Sequence, residues 1–426
     1  MYVSYDKNNV ITAVSEVPFT ANGQKIKRVA LLKGADPHKL VGRSFFNKAR
    51  KQVKDLRVAA ICNWGDACGI ATYSKFLLDE IKKKVADLHI FSEIVPEELP
   101  EEPNVTRCWR RGLPLGNLME SIRKYDPDFV IIQHEFGIFP KAGHFLQLLQ
   151  GLDSYPYVLT LHSVYEHLDK AVCTSAIKHI VVHTKEGMEV LRKTGNNNDI
   201  FVIPHGCVHI PPEQRPELWN IFQTPYAIVQ FGFGFYYKGV DTALEAISIL
   251  KHKQPEKYKD IFYCYLCSEN PHANSIHTNY YNFLMNKVKE LDILDNVAII
   301  RKFQTEQTIN HYLRTAKLAL FPYRSDPNNV VYGASGATRI AMANGCPVIA
   351  GRNHQFDDLE GVVARAGTAE ELAGEIDKVF SNEKYRNSIV EHSQKYILDN
   401  TWDKCADKYL SLYEKILPPS FFTEVS

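Results

Sequence analysis

A chain of 426 residues exceeds what one ordinary hydrophobic core supports and points to two or three domains. With 45% hydrophobic and 23% charged residues it reads as globular rather than disordered. A formal net charge of +1 excludes a globally basic nucleic-acid binder, though not a local basic patch.

The nine cysteines have no framework spacing, and several sit in apolar runs, which suits buried thiols in a reducing compartment. Cys264 and Cys267 are spaced C-x-x-C, but they lie in the strand-like run Ile-Phe-Tyr-Cys-Tyr-Leu-Cys, so core packing is preferred over redox or zinc chemistry. The N-terminal Met-Tyr-Val-Ser-Tyr-Asp-Lys lacks the apolar block of a signal peptide. Leu218–Tyr237 carries no charge but contains Asn220, Gln223, Pro225 and Gln230, so it does not read as a bilayer helix. These features lead to the expectation of a cytoplasmic protein.

Residues 1–57 form a basic extension, with twelve lysines and arginines against four acidic residues. Tyr2–Tyr5 and Val10–Val14 look like short strands around Lys-Asn-Asn. The extension reads either as a solvated appendage or as a surface for a polyanion. From Arg57 the rhythm changes. Arg57–Cys62 is a buried-strand run, Asn63–Cys68 a loop, and Gly69 opens a helix with Ile70, Tyr73, Leu77 and Ile81 on one face. Apolar runs recur at Leu88–Phe91, Phe129–Gln133, Tyr157–Leu161, His179–His183 and Ile200–Ile203, with helical segments between several of them. That alternation predicts a doubly wound parallel sheet over residues 58–208.

The proline-rich stretch Val208–Pro225 reads as a linker. The pattern then restarts over residues 209–396, with strands at Tyr226–Phe231, Phe262–Cys267, Val297–Ile300, Leu318–Phe321 and Pro347–Ala350. Val240–Lys251 reads as a helix, and the capping box Thr368-Ala-Glu-Glu371 starts another that runs to Phe380. In the tail, residues 397–426, the spacing of Trp402, Ala406, Tyr409, Leu410 and Tyr413 predicts a helix that packs back on the first domain. The expected fold class is α/β: two doubly wound Rossmann-like domains facing across a cleft, with a small N-terminal extension. In open parallel sheets ligands sit beyond the carboxyl ends of the strands, so the residues just after each strand matter most.

Five such segments stand out. Asn63–Gly69 links the first strand to a helix, where glycine admits close backbone approach and the helix start favours an anion. Gln133-His134-Glu135-Phe136-Gly137 and Thr160-Leu161-His162-Ser163 each follow a strand. In Gln230–Gly239, Gly232 and Lys238 follow the first strand of the second domain, and Lys238 is placed to meet a diphosphate. In Tyr332–Ile349, small residues open an apolar helix, and the exposed amides near Gly333, Ser335, Gly336, Ala337 and Thr338 would form an anion pocket.

In combination, Gly69-Ile-Ala-Thr-Tyr-Ser74, Gln133-His-Glu-Phe-Gly-Ile-Phe139, Val202-Ile-Pro-His-Gly206, Tyr237-Lys-Gly239, Leu320-Phe-Pro-Tyr-Arg324 and Ser335-Gly336 leading into Ala341-Met-Ala-Asn-Gly-Cys-Pro-Val-Ile349 resemble the retaining glycosyltransferases of family four. The subgroup is the one with His-Glu-Phe-Gly and Pro-Tyr-Arg motifs, and the resemblance spans roughly residues 57–417. It implies a GT-B fold, a nucleotide-diphosphate sugar donor, no bound metal or cofactor, and retention at the anomeric carbon. It assigns Lys238, His162 and Glu135 to catalysis. Gly69, His134, Gly232, Arg324, Gly333, Ser335, Gly336, Ala337, Thr338 and Arg339 are assigned with Lys238 to the donor.

Two positions depart from the family pattern. Phe233 stands where the family often has an arginine, and Tyr332 and Ile340 stand in place of its Glu-x7-Glu pair. Arg324 and Arg339 are the expected replacements for the missing phosphate charge. The acceptor is left open between a surface glycan, a lipid and a hydroxymethylated base of phage DNA, with Lys48, Arg50, Lys51, Arg110 and Arg111 as its candidate contacts. A catalytically silent nucleotide-sugar-binding protein and a sugar-phosphate isomerase or epimerase are the competing readings.

Overall fold

The computed structural model describes residues 2–5, 11–15, 25–31, 51–96, 98–153, 155–166, 177–193, 198–215, 218–268, 274–326, 330–417 and 422–424. Near the N-terminus β1 (Tyr2–Tyr5), β2 (Ile11–Ser15) and β3 (Lys25–Leu31) form an antiparallel sheet, joined by Phe422–Glu424 from the chain's end.

The first large sheet begins with β4 (Arg57–Cys62), α1 (Gly69–Lys82), β5 (Asp87–Glu93), β6 (Val105–Trp109) and α2 (Gly116–Tyr125). It continues with β7 (Phe129–His134), α3 (Ala142–Gly151), β8 (Tyr157–Leu161), the two-residue β9 (Ser163–Val164), β10 (His179–Val182), α4 (Lys185–Lys193) and β11 (Asp199–Val202). The strand order is β11-β10-β8-β7-β4-β5-β6, all parallel. β4, β7 and β8 are mostly apolar and are buried without alternation because helices cover both faces of a parallel sheet.

The second sheet is built from β12 (Ala227–Phe233), α5 (Val240–Lys253), α6 (Pro255–Tyr258), β13 (Phe262–Ser268), α7 (Asn274–Glu290), β14 (Val297–Arg301), α8 (Glu306–Thr315) and β15 (Leu318–Phe321). After these come β16 (Tyr332–Gly333), α9 (Gly336–Ala343), β17 (Val348–Gly351), β18 (Ala364–Ala366) and α10 (Ala369–Ser381). Its order is β14-β13-β12-β15-β17-β18, again parallel. Thr368 caps α10, its Oγ1 accepting from the Glu371 amide at 3.2 Å, so the capping-box start is in place. Cys264 and Cys267 lie in β13, and their three-residue spacing puts them on opposite faces of the strand, each in a different core cluster.

α11 (Glu383–Asp399) leads to α12 (Trp402–Ile416), which returns to the first sheet and packs along α1. Eight of its side chains are buried, and its Tyr409, Leu410 and Tyr413 join Val58, Ala60, Tyr73 and Leu77 in one core. Tyr409 bonds Tyr73 at 3.1 Å and Thr160 at 2.8 Å through their hydroxyls, which fixes the rotation of the helix over β8. Among the described residues, no helix is long and apolar enough to cross a membrane.

Candidate active site

Both sheets turn the carboxyl ends of their strands toward a shared cavity of about 1150 Å³. In each sheet chain order reverses beside the first strand, between β4 and β7 and between β12 and β15, and the loops leaving those strands line the cavity. A short antiparallel bridge crosses from one domain to the other, pairing Tyr332 with Val164 and Gly333 with Ser163. A Cβ on Gly333 would come within 2.6 Å of the His162 carbonyl oxygen, so only glycine permits this approach.

The second-domain wall is cationic and tightly stitched. After β12 the chain makes a 3-10 turn at Tyr236–Lys238, then takes φ +65° at Gly239, where a Cβ would lie 1.9 Å from the Pro322 oxygen. That contact brings the Lys238 turn against the loop after β15. There the Arg324 amide bonds the Tyr237 carbonyl at 2.8 Å, and its guanidinium bonds the Tyr236 carbonyl at 3.0 Å and Asp241 at 2.9 Å. Lys238 Nζ stands 3.9 Å from the centre of the Tyr323 ring and 4.8 Å from that of Tyr237, a cation–π seat with no carboxylate partner among the described residues. Ser335 caps α9, its hydroxyl accepting from the Thr338 amide at 3.4 Å, and the amides of Gly336 and Ala337 have no intrahelical partner where the helix starts at the cavity.

The first-domain wall carries neutral rings and one carboxylate. Burial raises the Glu135 carboxyl above the usual carboxylate range, although the Gly137 and Phe136 amides pull it back. His162 Nε2 lies 2.8 Å from Gln133 Oε1 and its Nδ1 lies 3.4 Å from His183 Nε2, while His183 Nδ1 lies 3.0 Å from the Ile203 carbonyl. The carbonyl can only accept, so His183 carries its proton on Nδ1 and receives one from His162 Nδ1. His162 Nε2 is then an acceptor, and turning the Gln133 amide over lets its otherwise unpartnered nitrogen donate. Burial pushes His183 down to about 4 and His162 well below the usual histidine value, so both rings stay neutral at physiological pH.

Most of the residues expected from the sequence meet in this cavity: Gly69, Glu135, His162, Gly232, Lys238, Arg324, Gly333, Ser335, Gly336, Ala337 and Arg339. Two do not line it. His134 is turned to the other face of β7, packed among Phe136, Phe139 and Phe145, with burial lowering it to about 3. Thr338 is fully buried, and its hydroxyl bonds Ser335 at 3.0 Å. Arg339 reaches the cavity edge, but its guanidinium is only 2% exposed and is held by Asp358, by Tyr396 at 3.1 Å and by the Ser335 carbonyl at 3.0 Å.

Of the expected acceptor cations, Lys51, Arg110 and Arg111 are described, and none of the three lines the cavity. Lys51 pairs with Asp128 at 2.8 Å at the amino ends of β4 and β7. That lies a strand length of about 20 Å from the carboxyl ends that face the cavity. Arg111 grips Glu93 with two bonds at 2.8 and 2.7 Å, and Arg110 bonds the Ile94 carbonyl at 3.3 Å. Lys48 and Arg50 lie outside the described residues. His205, which the sequence places after a strand in Val202–Gly206, lines the cavity together with Tyr73 and Trp402, to which sequence reasoning assigns no site role, as it assigns none to Tyr323 beneath Lys238. Among the described residues, no three His, Cys, Asp or Glu side chains gather as metal ligands.

This architecture is the GT-B fold. A structure of trehalose-6-phosphate from E. coli bound with UDP-2-fluoro glucose superposes with a TM-score of 0.66 at 13% identity, covering 85% of this chain and 100% of that one. A glycosyltransferase from Rickettsia africae ESF-5 matches with a TM-score of 0.63 at 16% identity, over 86% and 100% of the two chains. An alpha,alpha-trehalose-phosphate synthase (UDP-forming) from Burkholderia xenovorans in complex with glucose-6-phosphate gives 0.64 at 10% identity, over 84% and 100%. Residues 213–396 match the family model for glycosyl transferases group 1. The protein is therefore a glycosyltransferase, with a group 1 domain forming the second half of a GT-B fold.

Proposed function

We propose that the protein moves a sugar from a nucleoside-diphosphate sugar to an acceptor hydroxyl with retention of anomeric configuration. The observation that carries this reading is the pairing of two walls in one cavity. Lys238 and the free amides of α9 stand on one side, with Glu135 and the His162–His183 pair on the other. The E. coli neighbour bound with UDP-2-fluoro glucose supports the choice of a nucleotide sugar as donor.

In the proposed reaction the bond between the anomeric carbon and the diphosphate oxygen breaks, and negative charge grows on the leaving group. Lys238 and the Gly336 and Ala337 amides stabilise that charge without reorganising. The acceptor oxygen bonds to the anomeric carbon on the same face, and its proton passes to a leaving phosphate oxygen. Glu135 orients the acceptor. His162, with both ring nitrogens engaged by Gln133 and His183, is a fixed wall against the donor sugar.

We take the acceptor to be a free or phosphorylated sugar. Lys51 is paired with Asp128 at the far end of the sheet, and Arg110 and Arg111 are bonded to Ile94 and Glu93 and do not line the cavity, so none of the three supports a DNA, lipid or surface-glycan contact there. α1 starts at the cavity with no side-chain cap and no acidic residue in its first turn, a setting that favours an anionic group. The Burkholderia neighbour in complex with glucose-6-phosphate agrees with that class. The test is release of nucleoside diphosphate from UDP-, GDP- and ADP-sugars, with and without sugars and sugar phosphates. Acceptor-dependent release supports the reading. Tight binding of a nucleotide sugar with no release under any acceptor would favour a silent binding protein.

A further inference from the structure

We propose that His205 is a titrating cation of the donor site: binding of a nucleotide sugar protonates its Nε2, which then donates a hydrogen bond to a diphosphate oxygen beside the first turn of α9. This rests on the donor reading above and adds a residue to it.

The orientation of the ring is fixed. His205 Nδ1 lies 2.7 Å from the Gly206 carbonyl, which can only accept, so Nδ1 carries the proton and Nε2 is bare in the neutral ring. Nε2 has no hydrogen-bond partner among the described residues, and His205 lines the cavity. It stands over the helix start: a methyl group at Gly336 would lie 3.1 Å from it. Tyr73 and Trp402 hold the ring from the sides, with centroids at 5.0 and 5.3 Å. A Cβ on Gly206 would sit 2.3 Å from the Trp402 ring, so the backbone beside His205 is fixed as well.

The charge balance of the cavity calls for another cation. The lysines and arginines lining it are Lys238, Arg324 and Arg339. Arg324 is neutralised by Asp241 and Arg339 by Asp358, which leaves Lys238 to face a dianionic diphosphate. The groups around His205 keep it neutral until that anion arrives. They are Arg339 on α9 with its partner Asp358, His183 and His162 at the ends of β10 and β8, Tyr73 on α1, and the thiols of Cys207 and Cys405. Burial and Arg339 hold the empty-site ring well below the usual histidine value. A diphosphate beside Nε2 reverses the sign of the local field and favours the imidazolium.

The experiment is calorimetric titration with UDP-glucose, or with whichever nucleotide sugar the release assay selects, at pH 7 in two buffers of different ionisation enthalpy. The diphosphate of a nucleotide sugar has no proton that titrates near neutrality, so any proton taken up belongs to the protein. The wild type is expected to take up close to one proton per donor bound, with affinity rising up to tenfold per unit as pH falls toward the empty-site value. His205→Asn, which keeps a donor but cannot be charged, is expected to bind with no uptake and a flat pH profile. His205→Gln serves if the asparagine variant melts early, and His134→Leu, on the far face of β7 outside the cavity, is expected to keep the uptake. Donor binding by the wild type without proton uptake overturns the proposal. Uptake that survives in the His205 variants overturns it too, and moves the proton to His162 or Glu135. Failure of the wild type to bind any nucleotide sugar instead overturns the donor reading on which the proposal rests.

Discussion

The two walls of the cleft are built by different means. On the second-domain side, permanent charges are set in a lattice of backbone contacts: Gly239 against Pro322, Arg324 on the Tyr236 and Tyr237 carbonyls, and Lys238 on Tyr323. On the first-domain side, histidines are kept neutral by burial and oriented by a relay that ends on the Ile203 carbonyl. The contrast assigns work by chemistry. In the proposed reaction the leaving diphosphate draws on charge already in place at Lys238, whereas the first-domain wall offers a sugar shaped, uncharged surface and includes groups, His205 among them, whose protonation can respond. It also separates the pH sensitivity of the two walls, and this can be tested.

The largest effect is expected on acidification. His134, held at about 3, and His183, at about 4, bind fewer protons folded than unfolded between pH 4 and 6.5, and His162 and His205 are lowered in the same direction. The unfolded state therefore gains protons first, and stability falls as pH drops through this window, each such histidine contributing up to about 1.4 kcal/mol per pH unit. Chemical denaturation at pH 7, 6 and 5 is expected to show this loss, and His134→Leu to reduce its slope. A stability flat from pH 7 to 5 would contradict the neutral-wall picture.

Next in size is the buried ion pair of the other wall. Arg339→Met and Asp358→Asn are each expected to destabilise by about 3–5 kcal/mol, since either leaves an unpaired buried charge. Equal losses in urea titrations mark Arg339 as a structural group. If Arg339→Met instead folds normally and loses donor binding, the sequence-based phosphate role is restored.

Lys238→Ala is expected to lower turnover by about 10²–10³, equivalent to about 2.7–4 kcal/mol, with the melting temperature nearly unchanged. His162→Ala is expected to lose transfer while still binding nucleoside diphosphate, because the two contacts lie on opposite walls. Equal loss of diphosphate affinity, measured by calorimetry, would merge the walls into one functional unit. The smallest effect on activity is expected for Lys51→Gln, because Lys51 is remote from the cavity and its buried partner Asp128 keeps the bond from the Arg57 amide at 2.8 Å. Acceptor use by that variant should match the wild type.

The parallel sheets are legible because buried runs such as Val58–Cys62 and Phe129–Ile132 are apolar at every position, on both faces of the sheet. β6 was missed for the converse reason: it lies at the sheet edge, and Thr106 and Arg107 on its half-exposed surface break the apolar run. In the site, Lys238 and the Ser335–Ala337 turn line the cavity at the strand end and helix start where chain punctuation places them. His134 was placed in the cavity in error, although strand alternation contains the correction. Val130, Ile132 and His134 share one face of β7, and Gln133 belongs to the other, where α1 and α12 lie. The same alternation puts His162 and His183 beside Gln133. His205 and Trp402 could not be paired from the sequence, because their contact joins strand ends to a helix almost two hundred residues away.

The return of α12 to the first sheet has a consequence during synthesis. Tyr73, Leu77 and the α1 face of the first core wait for Tyr409, Leu410 and Tyr413, which are made more than three hundred residues later. At about 5–20 residues per second, that apolar face stays uncovered for roughly 15–60 s after it is made. The first of the two large sheets is thus completed only after the strands of the second have been made. A nascent chain halted before Trp402 is expected to present a sticky, chaperone-binding surface, although every strand of both large sheets is already in it.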